Sequence, residues 1–375
     1  MLTRIYVDNY RCLVNFECRL GPRQLILGPN GAGKSTLFDV LTLLRDFCVR
    51  GEPADAIFVG PFRTRWQSVP VQTFELDVEG NEGTYKLRLE IDTWGNPARP
   101  RVVKETLDFS GVCIFRFGDG DVSLFNDKLD GVSRVQYPFD WHRSALATVS
   151  ERADNTKLSW FKRWLGRTLV VSPDPHRMSG IAAREVTSPD QYLSNFACWY
   201  RHLKLAEDDR AYVADLGELI EGFDTIRLED VGEHNREIMV RMANSENGKR
   251  GKHGIDYRLR ELSDGQRVLI GLYAVLHFAL HSGSTVCFDE PDNFIALREI
   301  QPWLMKVVER TEDEDSPAQV LIASHHPELL NRMAFDEGLL LYRPGGRHTR
   351  VRPFDDPEHT GLSASEIIAR GWEHE

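Results

Sequence analysis

One nine-residue stretch near the start of the chain, GPNGAGKST from Gly28 to Thr36, constrains its fold more than any other. Gly28, Gly33, Lys34 and Ser35 fit the pattern GxxxxGK[ST], with Pro29, Asn30, Gly31 and Ala32 between them and Thr36 just after. Glycines let successive backbone N–H groups turn inward around phosphate oxygens. The lysine reaches the outer phosphates, and the hydroxyl after it suits a magnesium ion. Such a loop works between a buried strand and a helix start, whose positive end adds to the attraction. Both flanks are present: RQLILG is an apolar run ending at the first glycine, and STLFDVLTLLRDFCV has apolar residues at helical spacing.

The chain's 375 residues suffice for one large domain or two fused lobes. The longest apolar run, VLIGLYAVLHFAL from Val268 to Leu280, is too short to span a bilayer, and the first residues lack a secretion signal. Six cysteines without a CxxC pair read as reduced thiols, so a cytoplasmic protein is expected. A net charge of −11 argues against indiscriminate attraction to nucleic acid. FKRWLGR at 161–167 and GKRGKHG at 248–254 are local basic tracts, read as solvated loops, which leave DNA contact open.

Three further motifs carry chemistry. VCFDE is an apolar strand closed by two carboxylates: Asp289 suits a magnesium shell, and Glu290 suits orienting or deprotonating a water. In LSDGQR, Ser263 and Gln266 form a capping-box pattern before an apolar helix, and with Gly265 they make an anion-friendly helix start. VLIASHH is a buried strand ending in Ser324 and His325, whose ring can donate to a terminal phosphate; His326 beside it reads as structural. His277 and His281 share a helix face but lack a third ligand, and read as core or surface.

Elsewhere the pattern predicts strands from about 70 to 140, forming an antiparallel layer, and a loop over 173–191. Helices follow over 192–223, then a hairpin, an exposed loop NSENGKRGKHG, and an acidic loop EDEDSPAQ late in the chain. FDEGLLLY reads as one strand. Fully apolar strands alternating with helices in the last third imply a mainly parallel sheet.

GPNGAGKS, LSDGQ, VCFDE and ASHH, in this order, resemble the Walker A, signature, Walker B and switch-histidine motifs of the ABC ATPase superfamily, in its soluble RecF/SMC/OLD-like branch. IYVDNYRCLVNFECRL resembles that branch's opening, which implies that Arg11 approaches the nucleotide. The resemblance covers about 1–50 and 255–345. It implies an α/β P-loop NTPase of the ABC/SMC head type, with a mainly parallel core sheet, an antiparallel β layer and a helical signature lobe. The single domain would divide into lobe I, about 1–175 plus 283–375, and lobe II, about 190–282.

It further implies ATP and Mg2+ as ligands, with Ser35 and Asp289 on the metal and Lys34, Glu290 and His325 in catalysis. A homodimer, or a higher oligomer, would sandwich nucleotide between the phosphate loop of one copy and Ser263, Gly265 and Gln266 of the other. Asp264 stands where transporter subunits carry glycine, and PDNFIALRE lacks the aspartate that usually ends the D-loop. Gln67 and Gln72 are the candidates for a Q-loop glutamine. A transporter motor is disfavoured, because the signature lies far beyond Lys34 behind a strand-rich insertion. The expected work is hydrolysis of ATP that controls a separately encoded effector or nuclease, in antiphage defence or DNA processing. A RecF-like repair clamp and a nucleotide-gated scaffold with little hydrolysis are the alternatives.

Overall fold

A computed structural model of the chain describes residues 1–58, 62–93, 99–133, 135–246, 249–312, 318–356 and 361–371, without the side chains of 244–246, 249–253 and 297. The chain forms two compact units. One comprises Met1–Thr168, Gly283–Thr285 and Asn331–Glu375; the other comprises Leu169–Ser282 and Val286–Leu330.

The first unit opens with β1 (Leu2–Asp8), β2 (Phe16–Arg19), β3 (Arg23–Leu27), α1 (Lys34–Cys48) and α2 (Ala54–Ile57). There follow β4 (Val71–Gly80), β5 (Gly83–Asp92), β6 (Arg101–Phe109), β7 (Val112–Gly118), β8 (Asp121–Leu124) and β9 (Val135–Pro138), then α3 (Ala145–Thr148) and α4 (Thr156–Arg167). Eight strands pair in the order β2-β1-β4-β5-β6-β7-β8-β9, every neighbouring pair antiparallel. The expected layer is therefore present and also takes in the two opening strands. Alternation drives it: Phe74, Leu76 and Val78 of β4 are fully buried while the residues between them are not. Each such side chain contributes about 1.5–3 kcal/mol on burial. Tyr85 stacks on Trp160 of α4, their ring centroids 5.0 Å apart.

The second unit contains β10 (Leu169–Val171), β11 (Ile181–Ala182), α5 (Phe196–Ala206), α6 (Arg210–Leu219), β12 (Phe223–Val231), β13 (Asn235–Glu246) and β14 (Lys249–Arg258). It continues with α7 (Asp264–Phe278), β15 (Thr285–Asp289), α8 (Leu297–Glu312) and β16 (Gln319–Ala323). β10 runs parallel to β15, which neighbours β16, and all three are apolar and buried along most of their length. The chain returns to the first unit through α9 (Pro327–Glu337), β17 (Gly338–Tyr342), β18 (Arg350–Pro353) and α10 (Ala364–Arg370). There β17 pairs parallel with β3, and β18 runs antiparallel to β17.

Three sequence expectations need correction. Residues 244–246 and 249–254 of the expected loop are strand, the ends of β13 and β14, with Ala243 opposite Gly254 and Ser245 opposite Arg250, while residues 247 and 248 lie outside the described residues. The tract is polar in sequence and its pairing rests on backbone ladder bonds, which is why side-chain patterning misses it. The basic run 161–167 is the second half of α4, with Phe161, Trp164 and Leu165 buried and the cations between them. FDEGLLLY is split, since α9 runs to Glu337 and β17 begins at Gly338. Part of the acidic EDEDSPAQ run, residues 313–317, lies outside the described residues.

Candidate functional site

In the first unit, β3 delivers the chain to Gly28, and α1 leaves from Gly33. Gly28, Gly31 and Gly33 hold φ values of 139°, 79° and 112°, conformations open to glycine and costly for other residues. A Cβ at Gly28 would sit 2.1 Å from the Leu341 carbonyl oxygen, and one at Gly33 would sit 3.0 Å from both Cys12 Sγ and Thr349 Oγ1. No side chain caps the start of α1, and its first turn holds no acid. Its leading N–H groups and positive dipole end are thus offered to an external anion. Lys34 is 6% exposed, and its Nζ donates to Gly28 O at 2.8 Å, so the amine arches over the loop. Ser35 is exposed, as are Pro29, Asn30 and Gly31.

A cavity of about 640 Å³ adjoins the loop, lined by residues 29–32 with Tyr342, Arg343 and Arg352 among others. That is the size range of small-ligand sites. Arg11 does not extend freely. It pairs with Asp39 of α1, and its guanidinium lies 5.2 Å from the Tyr10 ring and 5.1 Å from the Phe62 ring. Of the glutamine candidates, Gln72 is fully buried and donates to Asn9 O at 2.9 Å, while Gln67 donates to Asp8 at 3.1 Å.

In the second unit, Asp289 closes β15 at 7% exposure, and Glu290 follows with φ 50°. A non-glycine residue there costs about 1–3 kcal/mol and must be held in place. Here Glu290 N donates to Ala323 O at the end of β16 (2.8 Å), and Asn293 Nδ2 donates to Glu290 Oε2 (2.9 Å). His325, exposed, stands just past the same end of β16. His326 serves the local structure. Its N donates to Ser324 Oγ, and its Nδ1 accepts from Glu328 N at 3.2 Å, which places the ring proton on Nε2. His277 pairs with Asp215 at 2.8 Å, and burial pushes its pKa below the usual value.

The start of α7 forms the capping box that Ser263 and Gln266 imply: Ser263 Oγ accepts from Gln266 N, and Gln266 Oε1 accepts from Ser263 N. Gln266 is thereby committed to the cap, while Ser263 remains exposed. Three residues that sequence reasoning missed, Arg267, His176 and Phe294, gather at this helix start. Asp264 pairs with Arg267, whose Nη1 donates to Pro175 O at 2.6 Å. His176 Nε2 lies 3.7 Å from Asp264 Oδ2, and the His176 ring meets the Phe294 ring edge-on at 5.8 Å. The i,i+3 spacing of Asp264 and Arg267 was a readable signal; nothing local marks His176 or Phe294.

The donors fit the ligands that such motifs serve. The glycine cradle has no room for a side chain at Gly28 or Gly33 and leads into a helix without a side-chain cap, which suits a polyphosphate. Ser35 and Asp289 present hard oxygen atoms of the kind magnesium takes.

The family model described as "AAA domain, putative AbiEii toxin, Type IV TA system" matches residues 137–331, which include the signature, Asp289, Glu290 and His325. An OLD nuclease from Thermus scotoductus (strain ATCC 700910 / SA-01) is 33% identical over 121 residues, 26% of this chain. The chain spans only 22% of that relative's length. Among solved structures, an Smc head bound to the C-winged helix domain of ScpA aligns with TM-score 0.54 at 15% identity, over 94% of this chain and 97% of that one. An Smc head with an extended coiled coil, bound to the C-terminal domain of ScpA and derived from Pyrococcus furiosus, aligns with TM-score 0.52 at 11% identity, over 100% and 99%. At these identities the two structures establish the fold, that of an SMC-type ATPase head. With just over half of its 375 residues matched, the chain belongs to this family of AAA domains.

Proposed function

We propose that the chain binds ATP on Gly28–Thr36 and hydrolyses it within a nucleotide-bridged homodimer that controls a separate effector. The observation that carries this reading is the phosphate loop: three positive-φ glycines, of which Gly28 is closed against backbone and Gly33 against side chains, leading into a helix with neither side-chain cap nor acid at its start. Lys34 neutralises charge on the outer phosphates, and Arg11, fixed by Asp39, steadies the nucleotide. Magnesium, held by Ser35 and Asp289, supplies charge neutralisation when bound. Glu290 takes the proton of the attacking water, and its strained backbone holds the carboxylate in a set direction. His325 donates to the terminal phosphate. Ser263 and Gly265 of a second copy close over that phosphate from the opposite side.

ATP favours the closed dimer only through its greater affinity for it. Glu290→Gln therefore accumulates an ATP-bound dimer in light scattering, with phosphate release reduced by about 100-fold or more. If the Glu290→Gln protein stays monomeric with ATP, or turns over at the parental rate, the reading is overturned. The relative named as an OLD nuclease supports an effector of nuclease type in defence or DNA processing. Co-purification with the products of neighbouring genes tests it. One observation favours a slower, gated scaffold: Asn293 already occupies one lone pair of Glu290. In that case Asn293→Ala speeds phosphate release.

A further inference from the structure

The β17–β18 hairpin brings a second group of residues to the phosphate loop, and their contacts are with its carbonyls. Arg343, one residue past β17, donates from Nη1 to Gly31 O at 3.1 Å. The rest of its fork is anchored in its own turn, Nε to Arg347 O at 2.6 Å and Nη2 to Gly346 O at 2.9 Å. The Trp66 ring lies 5.2 Å from this guanidinium. Thr349, fully buried just before β18, donates from Oγ1 to Ala32 O at 2.7 Å, and its own N–H is fixed on Cys12 O at 2.9 Å.

A phosphate loop works by aiming N–H groups inward, and in a planar trans peptide that requires the carbonyls to be held outward. The Ala32 carbonyl shares its peptide plane with Gly33 N–H, so Thr349 sets the direction of that N–H at the mouth of α1. The Gly31 carbonyl shares its plane with Ala32 N–H, which closes the loop on Pro29 O at 3.0 Å. Gly28 O is bound by Lys34. Resting on the reading of residues 28–36 as a nucleotide site, we infer that Arg343 and Thr349 are positioning residues that clamp the loop's outward carbonyls: Thr349 presets the Gly33 N–H for phosphate, and Arg343 holds the Gly31–Ala32 peptide in the turn that closes the loop. The Arg343 fork is spent on carbonyls and Thr349 is fully buried, so both act through the loop. They cut the reorganisation that binding would otherwise cost, so their effect falls on affinity and leaves the chemical step intact.

The test compares Thr349→Val, which keeps the buried shape but loses the hydroxyl, with Thr349→Ser, which keeps the hydroxyl, and with Arg343→Gln. Affinities for ADP and ATP, KM, kcat and nucleotide-free melting are measured together. Thr349→Val and Arg343→Gln should weaken ADP and ATP alike by about five- to tenfold and raise KM as much, with kcat within about twofold. Thr349→Ser should stay within about twofold of the parent. A purely structural role would lower melting without splitting KM from kcat, and that result overturns the inference. Parental binding by Thr349→Val and Arg343→Gln, or a serine variant as weak as the valine one, overturns the positioning role alone. A parent that binds neither nucleotide overturns the phosphate-loop reading, and the inference with it.

Discussion

Gly265, in the first turn of α7, packs against the carbonyl of Phe294, and a Cβ built on it would sit 2.8 Å from that oxygen. Phe294 holds φ 74° and leaves half of its surface exposed, at 51%. A bulky residue in that conformation persists only where its surroundings impose it. The glycine at the helix start and the strained segment after β15 are therefore one unit of structure. Gly265→Ala must push the backbone of residues 290–296 away from α7, at a cost of about 1–3 kcal/mol. Phosphate release should fall by about tenfold or more, while ADP affinity, measured by titration, stays within about threefold because the loop at 28–36 is not altered and ADP lacks the terminal phosphate.

Gly28 faces a harder limit. A Cβ there would lie 2.1 Å from Leu341 O, a backbone atom locked in β17, and φ 139° is closed to alanine as well. Gly28→Ala should lower the melting temperature and abolish nucleotide-induced stabilisation in the same thermal scan. A variant that melts like the parent and still gains stability from ATP would contradict the cradle geometry.

What was legible in the sequence was whatever chemistry is written in consecutive residues. The strand–loop–helix around Lys34, the apolar strand before Asp289 and the capping box of Ser263 and Gln266 each need only neighbours along the chain, and each stands where periodicity places it. Arg343 and Thr349 could not be read this way, because their partners Gly31 and Ala32 are more than three hundred residues distant and meet them only through the β3–β17 pairing. His176 and Phe294 escaped because they meet each other and the start of α7 only in the folded second unit. The polar tract 249–254 was misread because ladder hydrogen bonds leave no mark in side-chain pattern, and α4 because its cations outweighed three buried side chains between them.

Asp264 tests whether a departure from the transporter pattern has a function of its own. It pairs with Arg267 and approaches His176, so it links the start of α7 to the turn at 174–178. The pair is partly exposed, and an i,i+3 bridge of this kind contributes only about 0.5 kcal/mol. Asp264→Ala should thus shift melting by no more than about 2 °C, yet slow phosphate release several-fold as the turn loosens. Asp264→Asn, which keeps the acceptor oxygen, should retain most of the parental rate. Equal rates in all three proteins would leave Asp264 with a helix-dipole role and nothing more.

Glu105 gives the first unit a defined pH response. It is fully buried, and its carboxylate accepts from Ser144 Oγ, Ala145 N at 3.0 Å and Leu146 N at 3.3 Å, at the start of α3. Burial nonetheless pushes its pKa above the usual carboxylate value, with the hydrogen bonds from Ser144, Leu146, Cys48 and Ala145 opposing the rise. Cys48, held up by the same burial, and Lys162, whose pKa is lowered by burial, face the same interior. A raised folded pKa means that the folded chain keeps a proton which the unfolded chain has released. The contribution of Glu105 to stability is complete below the ordinary carboxylate pKa and is lost as pH rises through the raised one. Glu105→Gln keeps an oxygen for the two N–H groups and an amide to donate to Ser144, but cannot ionise. Its melting temperature, measured against the parent from pH 4 to 8, should rise relative to the parent as pH increases and level off once the parental carboxyl is ionised. Glu105→Ala should lose stability at every pH, by about 1–3 kcal/mol for each buried donor left without its acceptor. A constant difference between Glu105→Gln and the parent across that range would mean that the carboxyl titrates at its ordinary value despite its burial.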